Sequence, residues 1–462
     1  MPRLRFPTAL LTATCCVLPA RTVGQQASAD SSVRVTTLDN GLQVIVAEDH
    51  TVPLATILIA VRNGAMTQDS GEQGLAHLYE HLLFRSYKAD PGAFAGEASE
   101  LDAAWNGGTT EEVVTYELEL PSHNAIRGIG LLARLVQNAR FNDYDLKRER
   151  PIVLNELQRD EADPEQALDR QASRLLWGAS WGRKDVGGDS ASVIGISLTH
   201  LQEMYARYYV PNNAALVVTG DVSAPDVFTA VREQFSQWTR APDPFAERPL
   251  PPIAPLTSSS AVVIARPVAY TPIIVKYRGP SVGQDTIAPY AADLLCDVLN
   301  EHGSTFQRHL TGSGLFQSVR CEYETLAHVG PITFLCATSP EHAARALAAL
   351  LHELNVIGNL EGVTDEDLAI AKKRRLMSSE LAVESSYTLA PVLAWWWSIA
   401  GANAYELYDR RAVARRLSDL KDVATTFVSA QPRIIAVLSA PDLIPTLRAV
   451  LLPAASTIER AP

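Results

Sequence analysis

An α+β protein of two similar halves, each a mixed sheet with helices packed on one face, is expected from this sequence. Three observations carry the expectation: a proline-rich break near the midpoint, alternating apolar runs that open each half, and an unbroken apolar run that closes each half. The 462 residues exceed the roughly 100–200 of an ordinary domain, and a composition of 47% apolar and 20% charged residues is that of a globular chain.

From the N-terminus, Arg3 and Arg5 precede an apolar stretch from Pro7 to Ala20, and Ala27-Ser28-Ala29 offers a cleavage site. Residues 1–29 therefore read as a secretory signal peptide, which places the mature chain across the inner membrane, in the periplasm. Anchoring as a lipoprotein through Cys15 or Cys16 is the weaker alternative, because neither follows a lipobox. Residues 30–240 form the first half. VRVTTLDNGLQVIVAED and TILIAVRNG alternate at strand period, with Asp39-Asn40-Gly41 as a hairpin turn; helical segments follow, and AALVVTGDV closes the half as a buried strand.

Residues 241–260 carry prolines at 242, 244, 249, 251, 252 and 255 and read as a linker in which no helix or central strand is expected. Residues 261–462 repeat the plan: AVVIARPVAYTPIIVKYRG opens, helices follow near 286–302, and RIIAVLSAPDL closes. Outside the signal peptide the cysteines are Cys296, Cys321 and Cys336, an odd number. Two extended runs joined by LAHVG would let Cys321 face Cys336 across a hairpin, a pairing that geometry must decide. The uncharged stretch 385–405 contains Pro391 and Asn403, and its apolar core falls short of the ~18 residues of a membrane span. A buried helix is expected there, and no integral span. A formal charge of −12 argues against nucleic acid, which requires a basic face.

The chemistry concentrates in GLAHLYEHLLF, residues 74–84. Leu75, Leu78 and Leu82 recur at helical spacing, so His77 and His81, four apart, share one helix face and can hold one cation. Glu80 lies beside them. Two histidines do not complete a zinc site, and a carboxylate from another helix is required. KRERPIVLNELQRDEADP supplies Glu149 and Glu156, seven apart and so on one helical stripe, with Pro151 between them as a possible kink.

The order H-x-x-E-H followed by E-x6-E resembles the inverzincin metallopeptidases of the insulinase and pitrilysin type. VRNGAMTQDSGEQGLAHLYEHLLF, LDNGLQVIVAED and LQEMYARYYVPNNAALVVTGDV are similar to that family in the same order. The resemblance implies a zinc-dependent endopeptidase with one Zn2+ per chain, held by His77, His81 and Glu156, with Glu80 as general base toward metal-activated water and Glu149 behind the ligands. It implies that the two halves form one bowl of a clamshell, the first a zinc-binding peptidase domain and the second an inactive counterpart. WNGGTTEEVVTYELEL is similar to the family's edge strand beside the metal, so Asn106, Gly107 and Gly108 would hold an extended substrate by strand addition. Gly107 and Gly108 replace bulkier residues usual there.

The family's second half commonly supplies an arginine and a tyrosine to the site. In HGSTFQRHLTGSGLFQSVRCEY the matching positions are Thr311 and Gln317, with Arg308 or Tyr323 as substitutes under another alignment. The length resembles the mitochondrial-processing-peptidase and short bacterial branch, which implies the zinc-bearing subunit of a heterodimer whose paralogous partner brings the arginine and tyrosine; a homodimer is the weaker reading. The alternative from another class is a non-catalytic scaffold of the same fold. Gly178-Ala-Ser180-Trp-Gly182 fits the serine-hydrolase G-x-S-x-G pattern, but it follows a helical run rather than a strand and reads as a helix end.

Overall fold

The computed structural model describes residues 33–461 except 70, 91, 283–286, 382 and 383; the signal-peptide expectation, with Cys15 and Cys16, lies outside the described residues. The first half holds β1 (Val33–Thr37), β2 (Gln43–Glu48), β3 (Leu54–Val61), β4 (Ala104–Thr109), β5 (Val114–Pro121) and β6 (Ala214–Gly220) in the order β1-β2-β6-β3-β5-β4. The second holds β7 (Ser260–Ala265), β8 (Thr271–Arg278), β9 (Ser318–Tyr323), β10 (Pro331–Thr338), β11 (Ile434–Ser439) and β12 (Thr457–Ala461) in the order β12-β7-β11-β8-β10-β9. Both sheets are mixed: β2 and β6 run parallel, as do β7 and β11.

The registers match strand for strand. Ile59 of β3 lies opposite Leu216 of β6 and Tyr116 of β5, and Tyr116 lies opposite Gly107 of β4. Val275 of β8 lies opposite Ile435 of β11 and Phe334 of β10, and Phe334 lies opposite Cys321 of β9. The expected duplication is present, with one difference at the outer edge. There β1 pairs antiparallel with β2, whereas the end of the chain returns as β12 to pair parallel with β7.

Six helices position the site and the seam: α1 (Leu75–Ser86), α2 (Asp143–Ala162), α3 (Pro164–Trp177), α4 (Ala288–Asn300), α5 (Asp365–Leu381) and α6 (Ser386–Ala400). On one face of the first sheet, Ile57, Ile59 and Val61 pack with Leu75, Leu78 and Leu82 of α1. The second sheet repeats this with Ile273, Val275 and Tyr277 against Leu294, Leu295 and Leu299 of α4.

Helices confined to one face were expected, and the structure corrects this. Leu393, Ala394 and Trp397 of α6, from the second half, cover Ile45, Leu58 and Val217 on the other face of the first sheet. Reciprocally, Leu168, Ala172 and Leu176 of α3 cover Val262, Ile274 and Leu438 of the second sheet. Each half lends a helix to its neighbour because strands apolar on both faces, such as AALVVTG, must be shielded on both. The uncharged stretch 385–405 is therefore largely this buried helix, and among the described residues no helix is long and apolar enough to cross a membrane.

Polar contacts finish the seam. Glu112, in the β4–β5 turn, accepts from the backbone N–H groups of Ala327 and His328 at 2.6 and 2.9 Å, in the equivalent β9–β10 turn. Lys184 donates to Glu111 at 2.8 Å and to the Val329 carbonyl at 2.9 Å.

One further expectation needs correction, and one pairing left open is decided. The proline-rich segment contains a short helix, Pro244–Glu247, because Pro244 stands at its first position, where no N–H is needed, and the Asp243 side chain accepts from Phe245 N. Cys321 is bridged to Cys296 of α4, not to Cys336. Cys336 lies opposite Val319 in the ladder and is a buried free thiol.

Candidate metal centre

Helix α1 starts where Gly74 takes φ +85°, and a Cβ there would stand 2.6 Å from the Gly187 carbonyl oxygen, so only glycine fits. Gln68 caps the start by accepting from Ala76 N–H at 3.1 Å. With Leu75, Leu78 and Leu82 buried in the core, His77 and His81 are turned to the opposite side, toward α2. Helix α2 is opened by Asn142, whose side chain accepts from Asp145 N–H, and runs unbroken through Pro151. Burial of Leu146, Val153 and Leu157 holds it against the core and carries Glu149 and Glu156 past the histidines.

Three atoms converge. His77 Nε2 lies 3.3 Å from His81 Nε2, and Glu156 Oε2 lies 3.5 Å from each. Bonds of about 2.0–2.1 Å to a tetrahedral Zn2+ require ligand atoms about 3.3–3.4 Å apart, so the spacing matches three corners of that tetrahedron. Two facing imidazole nitrogens and a carboxylate oxygen concentrate lone pairs on one point, an arrangement that calls for a cation. Among the described residues no other group of three His, Cys, Asp or Glu converges in this way.

The surroundings tune the donors. Burial, then the neighbouring His81, lowers the His77 pKa to about 4, which keeps this imidazole neutral and able to ligate. Burial lowers His81 also, but its hydrogen bond to Glu149 and the charges of Glu80, Glu156 and Glu149 prevail and raise it. Glu149 is buried, 3.6 Å from His81 Nδ1, and accepts from Arg85 Nε at 2.9 Å. Burial raises its carboxyl, yet the His81 bond and Arg85 bring it below the ordinary value.

Glu80 points from α1 toward the edge strand β4 and accepts from Thr109 Oγ1 at 3.3 Å. Burial raises its pKa against the opposing influence of His81 and Thr109, and Glu156 adds to the rise. On β4, Trp105, Gly107 and Thr109 share the face toward α1, Trp105 meeting Phe84 at a tilt and Phe94 edge-on with centroids 4.6 and 5.4 Å away. Asn106 and Gly108 fall on the other face, Asn106 opposite Glu117. The structure thus gathers His77, Glu80, His81, Glu149 and Glu156, sets Gly107 against Glu80, and leaves Asn106 and Gly108 on the far side of the same edge strand.

In the second half, Thr311 ends a short helix with its hydroxyl on the Gln307 carbonyl, and Gln317 is exposed. The Arg308 guanidinium donates to the Gly303 carbonyl, just before its own helix, and to the Thr305 hydroxyl within it, and the buried Tyr323 hydroxyl donates to the Pro280 carbonyl at 3.2 Å. Ser180 follows α3 in a tight turn, with no strand before it. Two contributors were missed from sequence. Arg85 lies one helical turn past His81, a spacing that could have revealed it; Thr109 lies two residues beyond Gly107 on the same strand face.

The sequence profile described as Insulinase (Peptidase family M16) matches residues 43–180, and the one described as Peptidase M16 inactive domain matches residues 195–375. The chain belongs to peptidase family M16. Among M16 relatives, it is similar to an uncharacterized zinc protease of Mycobacterium leprae, 25% identical over 411 residues that cover 88% of this chain and 90% of that one. It is also similar to cytochrome b-c1 complex subunit 1 of Rattus norvegicus, 26% identical over 251 residues, 53% of this chain and 52% of the relative. The solved periplasmic protease PqqL of Escherichia coli shares the fold, with a TM-score of 0.76 at 18% identity over 92% of this chain and 50% of PqqL.

Proposed function

We propose that this M16 chain is a zinc-dependent endopeptidase, with residues 30–240 as the zinc-binding peptidase domain and 261–462 as an inactive peptidase-like domain. The observation that carries the reading is the tetrahedral-edge spacing of His77 Nε2, His81 Nε2 and Glu156 Oε2, with Glu80 alongside. One zinc ion per chain, held by these three groups, would supply Lewis-acid polarisation of the scissile carbonyl and activation of water. Glu80 accepts the water's proton on its carboxylate and returns it to the leaving amine, and its raised pKa brings it nearer the working pH of such a base. Glu149, anchored by Arg85, orients His81 through Nδ1. Among the described residues no further strand pairs with the outer edge of β4, so an extended peptide can add there through the backbone from Asn106 to Gly108.

Thr311 and Gln317 leave the chain without the arginine and tyrosine that its relatives direct at the substrate. Donors missing from a transition state cost about 10²–10³ in rate. A paralogous partner supplying both completes the enzyme, a reading supported by the match to half of PqqL. We propose that residues 1–29 act as a leader and that the mature chain works in the periplasm. The scaffold reading is favoured by the likeness to the cytochrome b-c1 subunit and by those two missing residues, whereas the intact donor set favours catalysis.

The test is turnover of a quenched, unstructured peptide by the mature chain, alone and with such a partner. Glu80→Gln should keep its zinc and lose activity; full activity in that variant would remove Glu80 from the mechanism. No turnover in any zinc-loaded combination would leave the scaffold reading.

A further inference from the structure

We infer that Asn300 and Gln307 close the outer edge of β9 to strand addition, so that of the two equivalent edge strands only β4 is open to an extended peptide. The closure stands on the geometry of the second half alone; its consequence for substrate rests on the peptidase reading above.

The direct observation is a set of hydrogen bonds. In an antiparallel ladder, alternate residues turn both backbone groups to the same side. Glu324 N donates to the Pro331 carbonyl at 2.9 Å, which turns the even-numbered residues of β9 toward β10 and leaves Val319 and Cys321 facing outward. Those outward groups are occupied. Asn300, the last residue of α4, donates through Nδ2 to the Cys321 carbonyl and accepts from Cys321 N–H through Oδ1, both at 2.8 Å. Gln307, buried in the short helix Thr305–Leu310, donates through Nε2 to the Val319 carbonyl at 2.9 Å. A carboxamide offers a carbonyl and an N–H donor, the same groups as a peptide unit. Asn300 therefore sits on β9 as one residue of an added strand would.

Bulk is not what closes the edge. A cavity of about 510 Å³ lies against Arg320, Cys321 and Glu322 of β9 and reaches Arg374 and Ser378 of α5. There is room beside the strand, but an incoming peptide meets backbone groups that are already paired. To add there it would have to displace both amides and leave them without partners, which cancels what its own hydrogen bonds gain.

The first half lacks the cap. Matching ladders make Ile59 equivalent to Val275 and Gly107 equivalent to Cys321, and Phe84 follows Ile59 at the same interval as Asn300 follows Val275. Phe84 puts an aromatic ring where Asn300 puts an amide, and the ring cannot take up a backbone N–H and carbonyl together. Thr110 N donates to the Val113 carbonyl at 2.9 Å, so Trp105, Gly107 and Thr109 turn their backbone groups outward. Among the described residues no side chain bonds to those groups. A peptide held on β9 would lie beside Asp293, Asp297 and Arg375, away from the metal centre. Closing β9 leaves β4, next to Glu80, as the edge where an extended substrate pairs.

The probe is a short peptide of alternating valine and threonine with one benzoylphenylalanine, cross-linked by light to the full mature chain and located by peptide mapping. Glu80→Gln in every sample keeps the probe uncut. In that parent no label should fall on residues 318–323. In Asn300→Ala, where the Cys296–Cys321 bridge still holds α4 to β9, label there should rise at least about tenfold. Hydrogen exchange at the Cys321 amide gives a second reading: it should quicken in Asn300→Ala and slow again when the probe is added. Label on 318–323 in the parent would overturn the closure. So would an alanine variant whose Cys321 amide exchanges faster yet takes up no probe, since Asn300 would then only brace α4. Should Asn300→Ala not fold, Asn300→Asp takes its place, keeping an acceptor for Cys321 N–H and losing the donor to its carbonyl; label above the parent's is expected, and label equal to the parent's would overturn the closure. If the zinc-loaded wild type turns nothing over, the peptidase reading falls, and label and exchange at β9 alone decide the closure.

Discussion

The two halves present the same frame with opposite chemistry. Where α1 carries His77 and His81, α4 carries Asp293 and Asp297, at equal distances from the equivalent strand. Where α2 brings Glu156 across to the histidines, α5 brings Arg375. Its guanidinium donates to Asp297 Oδ1 at 2.7 Å and lies 3.5 Å from Asp293 Oδ1. Two carboxylates and a guanidinium sum to one negative charge, but donors take up the carboxylate oxygens: Arg375 donates to Asp297, and the Tyr408 hydroxyl donates to Asp293 at 3.3 Å. Two imidazoles and one carboxylate instead leave their lone pairs converging on one point, the donor set proposed to hold a cation. The fold supplies a helix, an edge strand and a crossing helix that meet at one point; three side chains decide whether that point binds a metal or seals itself.

Removing the metal should break the comparison most visibly. Chelation should abolish peptidase activity of the assembled enzyme, at least about 10³-fold, with recovery on adding zinc. Retained activity in metal-free enzyme would deny the first half its special role. Next in size, Arg375→Ala should destabilise the second half by about 3–5 kcal/mol, because it strands two carboxylates around a buried site. Denaturant unfolding measures it, and zinc content should not change.

Replacing Cys296 and Cys321 together by serine releases a loop closed over a sequence separation of 25, which should cost about 3 kcal/mol. An unchanged unfolding midpoint would show that the paired hydrogen bonds of Asn300 with the Cys321 backbone, both 2.8 Å, suffice to hold α4 to β9.

The smallest effect is expected at the seam. Burial raises the Glu112 carboxyl, but its bonds to the His328 side chain and backbone prevail and hold the pKa below the ordinary value. A lowered folded-state pKa means stability that is present above the unfolded value of about 4.3 and is lost as the pH falls through the folded value. Glu112→Gln should therefore lower stability by roughly 1.5–3 kcal/mol at pH 7 and flatten the acid side of the stability profile below about pH 4. A parallel profile in wild type and variant would show that Glu112 does not titrate with unfolding.

What could be read from the sequence was local. The spacing of His77 to His81 and of Glu149 to Glu156 places each pair on a helix face by geometry alone, and the turn at Asp39-Asn40-Gly41 sets the register of β1 on β2. What escaped depends on approach between elements distant in the chain. Cys296 and Cys321 sit on a helix and a strand whose contact no hairpin argument reveals, and the two extended runs made Cys336 look the nearer partner. The reciprocal cover by α3 and α6 was missed because a buried strand reads alike whichever half shields it. Gly107 read as an altered subsite, since sequence shows that a side chain is missing but not which neighbour takes its space.

The most direct test of the central claim, that one half binds metal and its counterpart does not, is zinc stoichiometry in the purified mature chain by elemental analysis. The account predicts about one zinc per chain in wild type, the same in Asp293→Asn with Asp297→Asn, and none in His77→Ala or His81→Ala. A wild-type chain purified and reloaded without retaining zinc, or one whose zinc survives loss of either histidine, would contradict it.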